Sequence, residues 1–458
     1  MAGIGFELRR ILRHGSYLAM MEAYGYAGVV SSGPWLLSIF GILLLGFLAI
    51  GDHTARASVI QFQVSVTYLI AVSLILTGPL QLLFTRHIAD MLFARQARAV
   101  IPVLLSMLAG ACAIGAVFAA LALSLFFRDT PWLYRVLLAI AFTELCGVWV
   151  LTIMATSLKD YKGLVAAYLL AYLTVVMLGL ALGARWGLDG YLVAFACGQG
   201  VLLVALGILV IREFPGYLHW PRKYQGRGKF FWSLSVSGLF FNLAVWADKF
   251  LFWFDPATSG AVIGPLRDSP LYDVPIFLSY LLIVPGLAVF LFRLETDFVD
   301  AYDAYNRAIV DGGSYAELNA AKLSMISATR TGLWDIAKIQ GVTVLLSFAF
   351  VHQLLHLLGY PQSYARIFQF DVIGVSLQLL MMSMLNVYQY LDLRGRGVLL
   401  SGVFLIGNVV LTYLSLRAGP FFYGLGFLSA LFVSDLIGLA LLTSDLERID
   451  FTTFVRAR

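Results

Sequence analysis

Long apolar runs separated by short polar breaks recur along the whole chain. They fall near 27–50, 60–84, 101–127, 132–157, 164–183, 190–211, 231–254, 272–294, 333–357, 369–390, 398–416 and 422–443. Each is long enough to cross ~30 Å of hydrocarbon as a helix, which takes roughly 20 residues. The short alternating segments of a membrane barrel are absent. The pattern predicts an all-α integral membrane protein with twelve transmembrane helices. The first run is expected to stay in place, because no small-residue cleavage site and polar mature chain follow it.

Composition agrees with that pattern. Of 458 residues, 60% are hydrophobic and only 12% charged, about half the charged share of a soluble domain. Cys112, Cys146 and Cys197 all lie inside apolar runs, so they read as small buried hydrophobes. No phosphate-cradling GxxxxGK[ST] motif, zinc spacing or nucleophile–histidine constellation is present. The chain is expected to be a transporter and not an enzyme, with no cofactor.

The net charge of +5 is a topological signal and not a nucleic-acid footprint. With twelve spans both termini share one side. That side collects Arg9, Arg10 and Arg13, then Arg86, Arg95 and Arg98, then Lys159 and Lys162. It also takes the linker residues Arg212, Arg222, Lys223, Arg227 and Lys229, followed by Arg293, Arg307, Lys322, Arg330 and Lys338. Arg394, Arg396, Arg448, Arg456 and Arg458 complete it. The opposite side holds only Arg56, Arg128, Arg135, Arg185, Arg267, Arg366 and Arg417. The positive-inside rule therefore predicts cytoplasmic termini.

Four local matches relate the halves. GPLQLLFTRHIAD (78–90) resembles PGLAVFLFRLETD (285–297), and DYKG (160–163) resembles DLRG (392–395). GLDGYLVAFACGQG (187–200) resembles YGLGFLSALFVSDL (423–436), and SSGPWLLS (31–38) is faintly echoed by VSGLFFNL (236–243). Each pair is offset by six spans, so both halves insert in the same orientation. Two pseudo-symmetric six-helix lobes around a central cleft are expected. Their limits are 27–211 and 231–443, joined by a basic linker (212–230) and followed by a tail (444–458).

Polar groups inside the spans are the candidate transport residues. Asp248 and Lys249 stand side by side in FNLAVWADKFLFWF (241–254). A charge near the centre of a lipid-facing helix costs ~2.5–3.5 kcal/mol, so the pair should face protein or a wet cavity. Neighbours on a helix point ~100° apart, so they are not expected to be a ready-made ion pair. Ser235, Asn242 and Lys249 recur every seven residues, with Trp246 and Trp253 close to their stripe. That stripe suits a pathway lining; the bland alternative is an interhelical polar contact. Glu144, Asp435 and Gln199 share the predicament, and Gln199 occupies the repeat position of Asp435. Carboxylates that switch between charged and neutral forms suit ion coupling. His352 and His356 have i, i+4 spacing but lack the glutamate of HExxH, so they read as interfacial histidines and not a metal site.

The cytoplasmic face offers two further features. GIGFELRRILRHG (3–15) alternates an Ile4–Leu8–Ile11–Leu12 face with Arg9, Arg10 and Arg13, predicting an interfacial helix within residues 1–26 that lies on the bilayer. Residues 296–331 predict a helical hairpin turning at Gly312 and Gly313, with a capping box from Ser314 to Glu317. Its Phe298, Tyr302, Tyr305 and Ile309 share one helical face, which either docks a partner or packs on the chain's own bundle.

The opening MAGIGFELRRIL and the segment YAGVVSSGPWLLSI (26–39), with the twelve-span length, resemble the PelG family of bacterial polysaccharide transporters. The resemblance covers essentially the whole chain. It implies the inner membrane, export of a polymer rich in N-acetylgalactosamine, and the fold of the multidrug/oligosaccharidyl-lipid/polysaccharide superfamily. It also implies a cytosolic PelF-like glycosyltransferase, a PelD-like cyclic-di-GMP receptor and a PelE-like repeat protein as partners. It assigns no role to single residues. Two other functions remain open: an ion-coupled exporter of drugs or lipid-linked oligosaccharides, and a non-transporting scaffold for a glycosyltransferase.

Overall fold

The computed structural model describes scattered positions between Gly25 and Leu45, then residues 53–157, 160–214 and 231–451. The expected interfacial helix, most of the first span and most of the linker lie outside these residues. The helices are α1 (His53–Phe93), α2 (Val100–Phe126), α3 (Trp132–Ser157), α4 (Tyr161–Trp186), α5 (Leu188–Glu213) and α6 (Trp232–Phe254). A hairpin of β1 (Gly260–Ile263) and β2 (Leu266–Asp268) follows. Then come α7 (Pro270–Leu281), α8 (Val284–Arg293), α9 (Val299–Val310), α10 (Tyr315–Leu358), α11 (Tyr364–Tyr390), α12 (Arg394–Ala418) and α13 (Leu425–Glu447). Among the described residues, ten helices are long and apolar enough to cross a bilayer.

The eighth expected span, 272–294, is not one helix. α7 and the stretch from α8 through α9 meet at a 43° bend. Pro285 begins α8; it lacks an N–H and its ring clashes with the preceding turn. The Ile283 carbonyl at the break accepts from the Leu287 N–H at 2.9 Å and from Gln340 Nε2 at 3.3 Å. A π turn over Leu294–Phe298 joins α8 to α9. The second arm of the expected hairpin is continuous with the ninth span, as one 44-residue helix of ~66 Å. The Ser314–Glu317 capping box starts it, and Gly312, at φ +67°, makes the turn before it. The β-hairpin, in a chain expected to be all helix, is the other departure. Gly264, at φ +52°, allows its tight turn.

The described residues form two compact units. The first comprises those within Gly33–Trp246 and Phe252–Ser269; the second those within Met1–Ser32, Ala247–Leu251 and Pro270–Arg458. In the first, α5 packs on α3 and α4, and α3 packs on α1 and α2. In the second, α11 packs on α7, α10 and α13. Large apolar side chains remain exposed on outer helix faces, such as Leu121 and Leu125 on α2, Leu173 and Met177 on α4, and Leu345 and Phe350 on α10. A chain in water would hide them; a chain in lipid has no reason to.

Arg86 pairs with Asp90 at 3.0 Å, one helical turn apart, and Arg293 pairs with Asp297 in the same spacing. Arg293 also reaches Asp335 of α10.

Candidate functional site

α6 delivers its two charged residues to the interior of the second unit. Asp248 is 0% exposed and Lys249 6%. They do form an ion pair, with Lys249 Nζ 3.0 Å from Asp248 Oδ2. The expectation from helix geometry failed because a four-carbon stem is long enough to curl back over ~100° of helix. Asp248 holds two further donors: Tyr272 Oη donates to Oδ2 at 2.6 Å, and Asn408 Nδ2 donates to Oδ1 at 3.2 Å. Asn408 in turn accepts from Thr412 Oγ1 at 2.9 Å. The carboxylate is thus held by one cation and two neutral donors from α7 and α12, which is what a buried charge requires.

Lys249 also sits over two rings, 5.2 Å from the centroid of Tyr280 and 5.4 Å from that of Phe427. Tyr280 donates to Gln378 Oε1 at 2.8 Å. Within Coulombic reach of both Asp248 and Lys249 lies Asp371 of α11. It is 0% exposed, and among the described residues neither carboxylate oxygen has a hydrogen-bond partner. The single ammonium is already committed to Asp248. An unmatched carboxylate in this position is stable only when neutralised by a proton or a small cation.

The remaining candidates are spread out. Asp435 is buried in the second unit, and among the described residues both its oxygens are unmatched. Gln199 and Glu144 belong to the first unit. Gln199 is fully buried, its Nε2 3.4 Å from Tyr172 Oη and its Oε1 unmatched among the described residues. Glu144 lies against Gly200, the residue after Gln199. Asn242, Trp246 and Trp253 also belong to the first unit. Trp246 and Trp253 lie 6.2 Å apart, and Trp253 stacks on Tyr68 at 4.4 Å. Sequence reasoning missed Asp371, Asn408, Tyr272, Tyr280 and Tyr68. Asp371 carried a signal, a lone carboxylate two residues into an apolar run; the tyrosines and Asn408 did not stand out from their spans.

The face proposed for a partner is filled by the chain itself. Phe298 and Tyr305 are both 2% exposed. Phe298 packs edge-on against Tyr390 of α11 at 5.5 Å and Tyr302 does so at 5.7 Å, while Tyr305 donates to Asp450 Oδ1 at 2.9 Å. Ile309 is half-buried on the same helix. Such a face serves equally as a docking surface or a packing surface, and here it packs. His352 bonds to Gln362 through Nδ1 at 2.8 Å. Among the described residues, no group of three or more His, Cys, Asp or Glu is placed to hold a metal.

Residues 1–454 match the family model PelG, described as "Putative exopolysaccharide Exporter (EPS-E)". The chain belongs to the PelG family. Among solved structures, this PelG-family chain shares its fold with transporters of the MOP superfamily. One, from Pyrococcus furiosus, is described by the reverse polarity of its binding pocket; it is 15% identical with a TM-score of 0.63, over 93% of this chain and 96% of that one. A MATE protein in complex with MaL6 is 15% identical with a TM-score of 0.64, over the same shares. An outward-facing multidrug-resistance MATE transporter is 16% identical with a TM-score of 0.63, again over 93% and 96%. No curated protein matches the sequence. The PelG-family chain is thus a multi-pass membrane protein with a transporter fold and an exopolysaccharide-export family.

Proposed function

We propose that this chain translocates an exopolysaccharide across the bacterial inner membrane. The observation that carries the reading is the family match over residues 1–454. We further propose, from the resemblance carried by MAGIGFELRRIL and YAGVVSSGPWLLSI, that the substrate is a Pel-like polymer rich in N-acetylgalactosamine. We infer twelve spans in two six-span lobes around a central cleft, both termini cytoplasmic; the charge bias and the internal repeats support it. Glu144, Gln199, Asn242, Trp246, Asp248, Lys249, Trp253 and Asp435 are the proposed pathway and coupling residues. A PelF-like glycosyltransferase, a PelD-like receptor and a PelE-like repeat protein are the proposed partners.

Ion coupling is a second element of the proposal, favoured by Asp371 with its unmatched oxygens. A group that is neutral only when loaded converts an ion gradient into a change of charge inside the protein. The test is complementation of a strain lacking this chain, with secreted polymer measured before and after a protonophore. Secretion restored by the chain and stopped by the protonophore supports both elements. Full secretion without the chain removes the export reading; secretion indifferent to the protonophore and to sodium removes the coupling.

A further inference from the structure

We propose that the break between α7 and α8 is the route by which a proton leaves Asp371 toward the Arg293 end of the second unit; the inference rests on the ion-coupling reading above. At the break, Pro285 brings no N–H to the Leu281 carbonyl one turn before it. Gln340 of α10 reaches into this gap. Its Nε2 donates to the Ile283 carbonyl at 3.3 Å, which fixes the end of the amide that faces α7. Its Oε1 has no hydrogen-bond partner among the described residues, although the residue is only 2% exposed. The amide fits because residue 286 is glycine: a Cβ there would fall 2.6 Å from Gln340 Nε2. A buried amide oxygen without a donor is costly, and a water held between it and the loosened backbone removes the cost.

Polar groups continue on both sides of this amide. Toward α7, Tyr280 stands one turn before Ile283 and donates to Gln378 Oε1 at 2.8 Å. It lies within Coulombic reach of Asp371. The other titratable groups facing Asp371 are Asp248 and Lys249 on α6 and Tyr272 on α7. Among the described residues, α10, α12 and α13 bring no further charge within that reach. Asp248, Lys249 and Tyr272 are bonded to one another, so Tyr280 is the neighbour that leads toward the break.

Toward α8, Gln340 shares one stripe of α10 with Ile336, Leu333, Gly332 and Thr329, at spacings of 4, 7, 8 and 11 residues. Those four line a cavity with about 290 Å³ of empty space, together with Arg293 of α8 and Ser383 of α11. Arg293 and its ion-pair partners Asp297 and Asp335 are all part-exposed, so water reaches this end. Ile336 is one turn of α10 from Gln340, so ~6 Å separates the amide from the cavity. With the orientation proposed above, the cavity is at the cytoplasmic end. The step breaks the Asp371 O–H bond and leaves its electron pair on the carboxylate. The proton passes through water at Tyr280 and Gln340 to water in the cavity, and nothing is oxidised or reduced. Gln340 is a positioning residue: it holds the water and keeps its own protons.

The test uses the full chain in nanodiscs and follows hydrogen–deuterium exchange of the protonated carboxyl by infrared spectroscopy. The Asp371 band is the one missing from Asp371→Asn. In heavy water its exchange should slow at least about tenfold in Gln340→Leu, the factor that one lost hydrogen bond is worth. Ile336→Ser, which wets the last turn, should speed it. Val342→Ala, on the exposed face of the same helix, should leave it unchanged. Exchange as fast in folded Gln340→Leu as in the native chain would overturn the route and leave Asp371 a proton site. Unchanged exchange in Ile336→Ser would overturn it equally, even where Gln340→Leu does not fold. An Asp371 band absent at every pH would remove proton loading of Asp371, and the route with it, while leaving the export reading intact.

Discussion

Lys249 neutralises Asp248, its own neighbour in sequence, across 3.0 Å inside a membrane-spanning unit. The pair sits on one turn of one helix, so no movement between helices can separate it. Its surroundings, not its partner, set its state: Tyr272 and Asn408 hold the carboxylate, and two rings cover the ammonium.

Removing one charge should therefore be worse than removing both. Asp248→Asn leaves Lys249 without its anion and should cost about 3–5 kcal/mol of stability. Lys249→Met should cost less, because Tyr272 and Asn408 remain on Asp248. The double variant should recover much of the loss. Thermal unfolding in detergent, set out as a double-mutant cycle, measures the coupling; additive losses would refute it.

Asp371→Asn makes the opposite comparison. It removes a group that must be neutralised, in a cavity-sized exchange, so stability should hold or rise by up to ~1 kcal/mol. Secretion should fall at least about tenfold, because an amide cannot be loaded and unloaded. A folded variant that secretes normally would show that Asp371 is only buried.

The crossing of α1 and α6 leaves no room for a methyl group. Gly238→Ala would drive its Cβ into the Gly78 carbonyl, a backbone atom. A loss of about 1–3 kcal/mol is expected. Gly341→Ala is the control: nothing lies within 4 Å of its Cβ, and in mid-helix it should stabilise by about 0.5–1 kcal/mol. Unfolding midpoints of the two variants should move in opposite directions.

Phe298→Ala should act on stability before it acts on any partner. The ring is buried against Tyr390 and Tyr302, and truncating such a side chain costs about 3–5 kcal/mol. Undiminished stability with loss of a co-purifying enzyme would return this face to docking.

Sidedness is checked with single cysteines. Tyr315→Cys should be labelled only from the cytoplasm and Ala261→Cys, in the β-hairpin, only from the other side. Both positions are exposed, and reversed labelling would overturn the orientation.

Span positions were legible because hydrocarbon thickness imposes a length that composition reports directly. From 60–84 onward each expected span finds its helix, apart from 272–294. There Pro285 was visible, but whether a proline kinks a helix or splits it depends on whether a neighbour such as Gln340 can satisfy the carbonyls set loose. The chemistry of the second unit was half legible. Asp248, Lys249 and Asp435 stood out as charges in apolar runs. Asp371 stood near the start of its run, where a charge is ordinarily solvated, and only packing shows it enclosed. Tyr68 could not be found by pattern, since its role arises from a contact with Trp253 across 185 positions.

One helix has a mechanical consequence. α10 runs without interruption through Trp334, whose exposed indole lies under the Lys338 ammonium at 5.6 Å, the pairing expected at a bilayer boundary. From there to Tyr315 it continues for 19 residues, ~28 Å at ~1.5 Å per residue. A rod clamped at one depth is a lever arm, and here Lys322, ion-paired to Asp450 at 2.6 Å, couples it to the segment after α13. A tilt of ~10° within the bilayer swings the tip of the rod by ~5 Å, and α9, tied to it by the turn at Gly312, moves with it. Small rearrangements among the spans are thereby broadcast outside the membrane at enlarged amplitude.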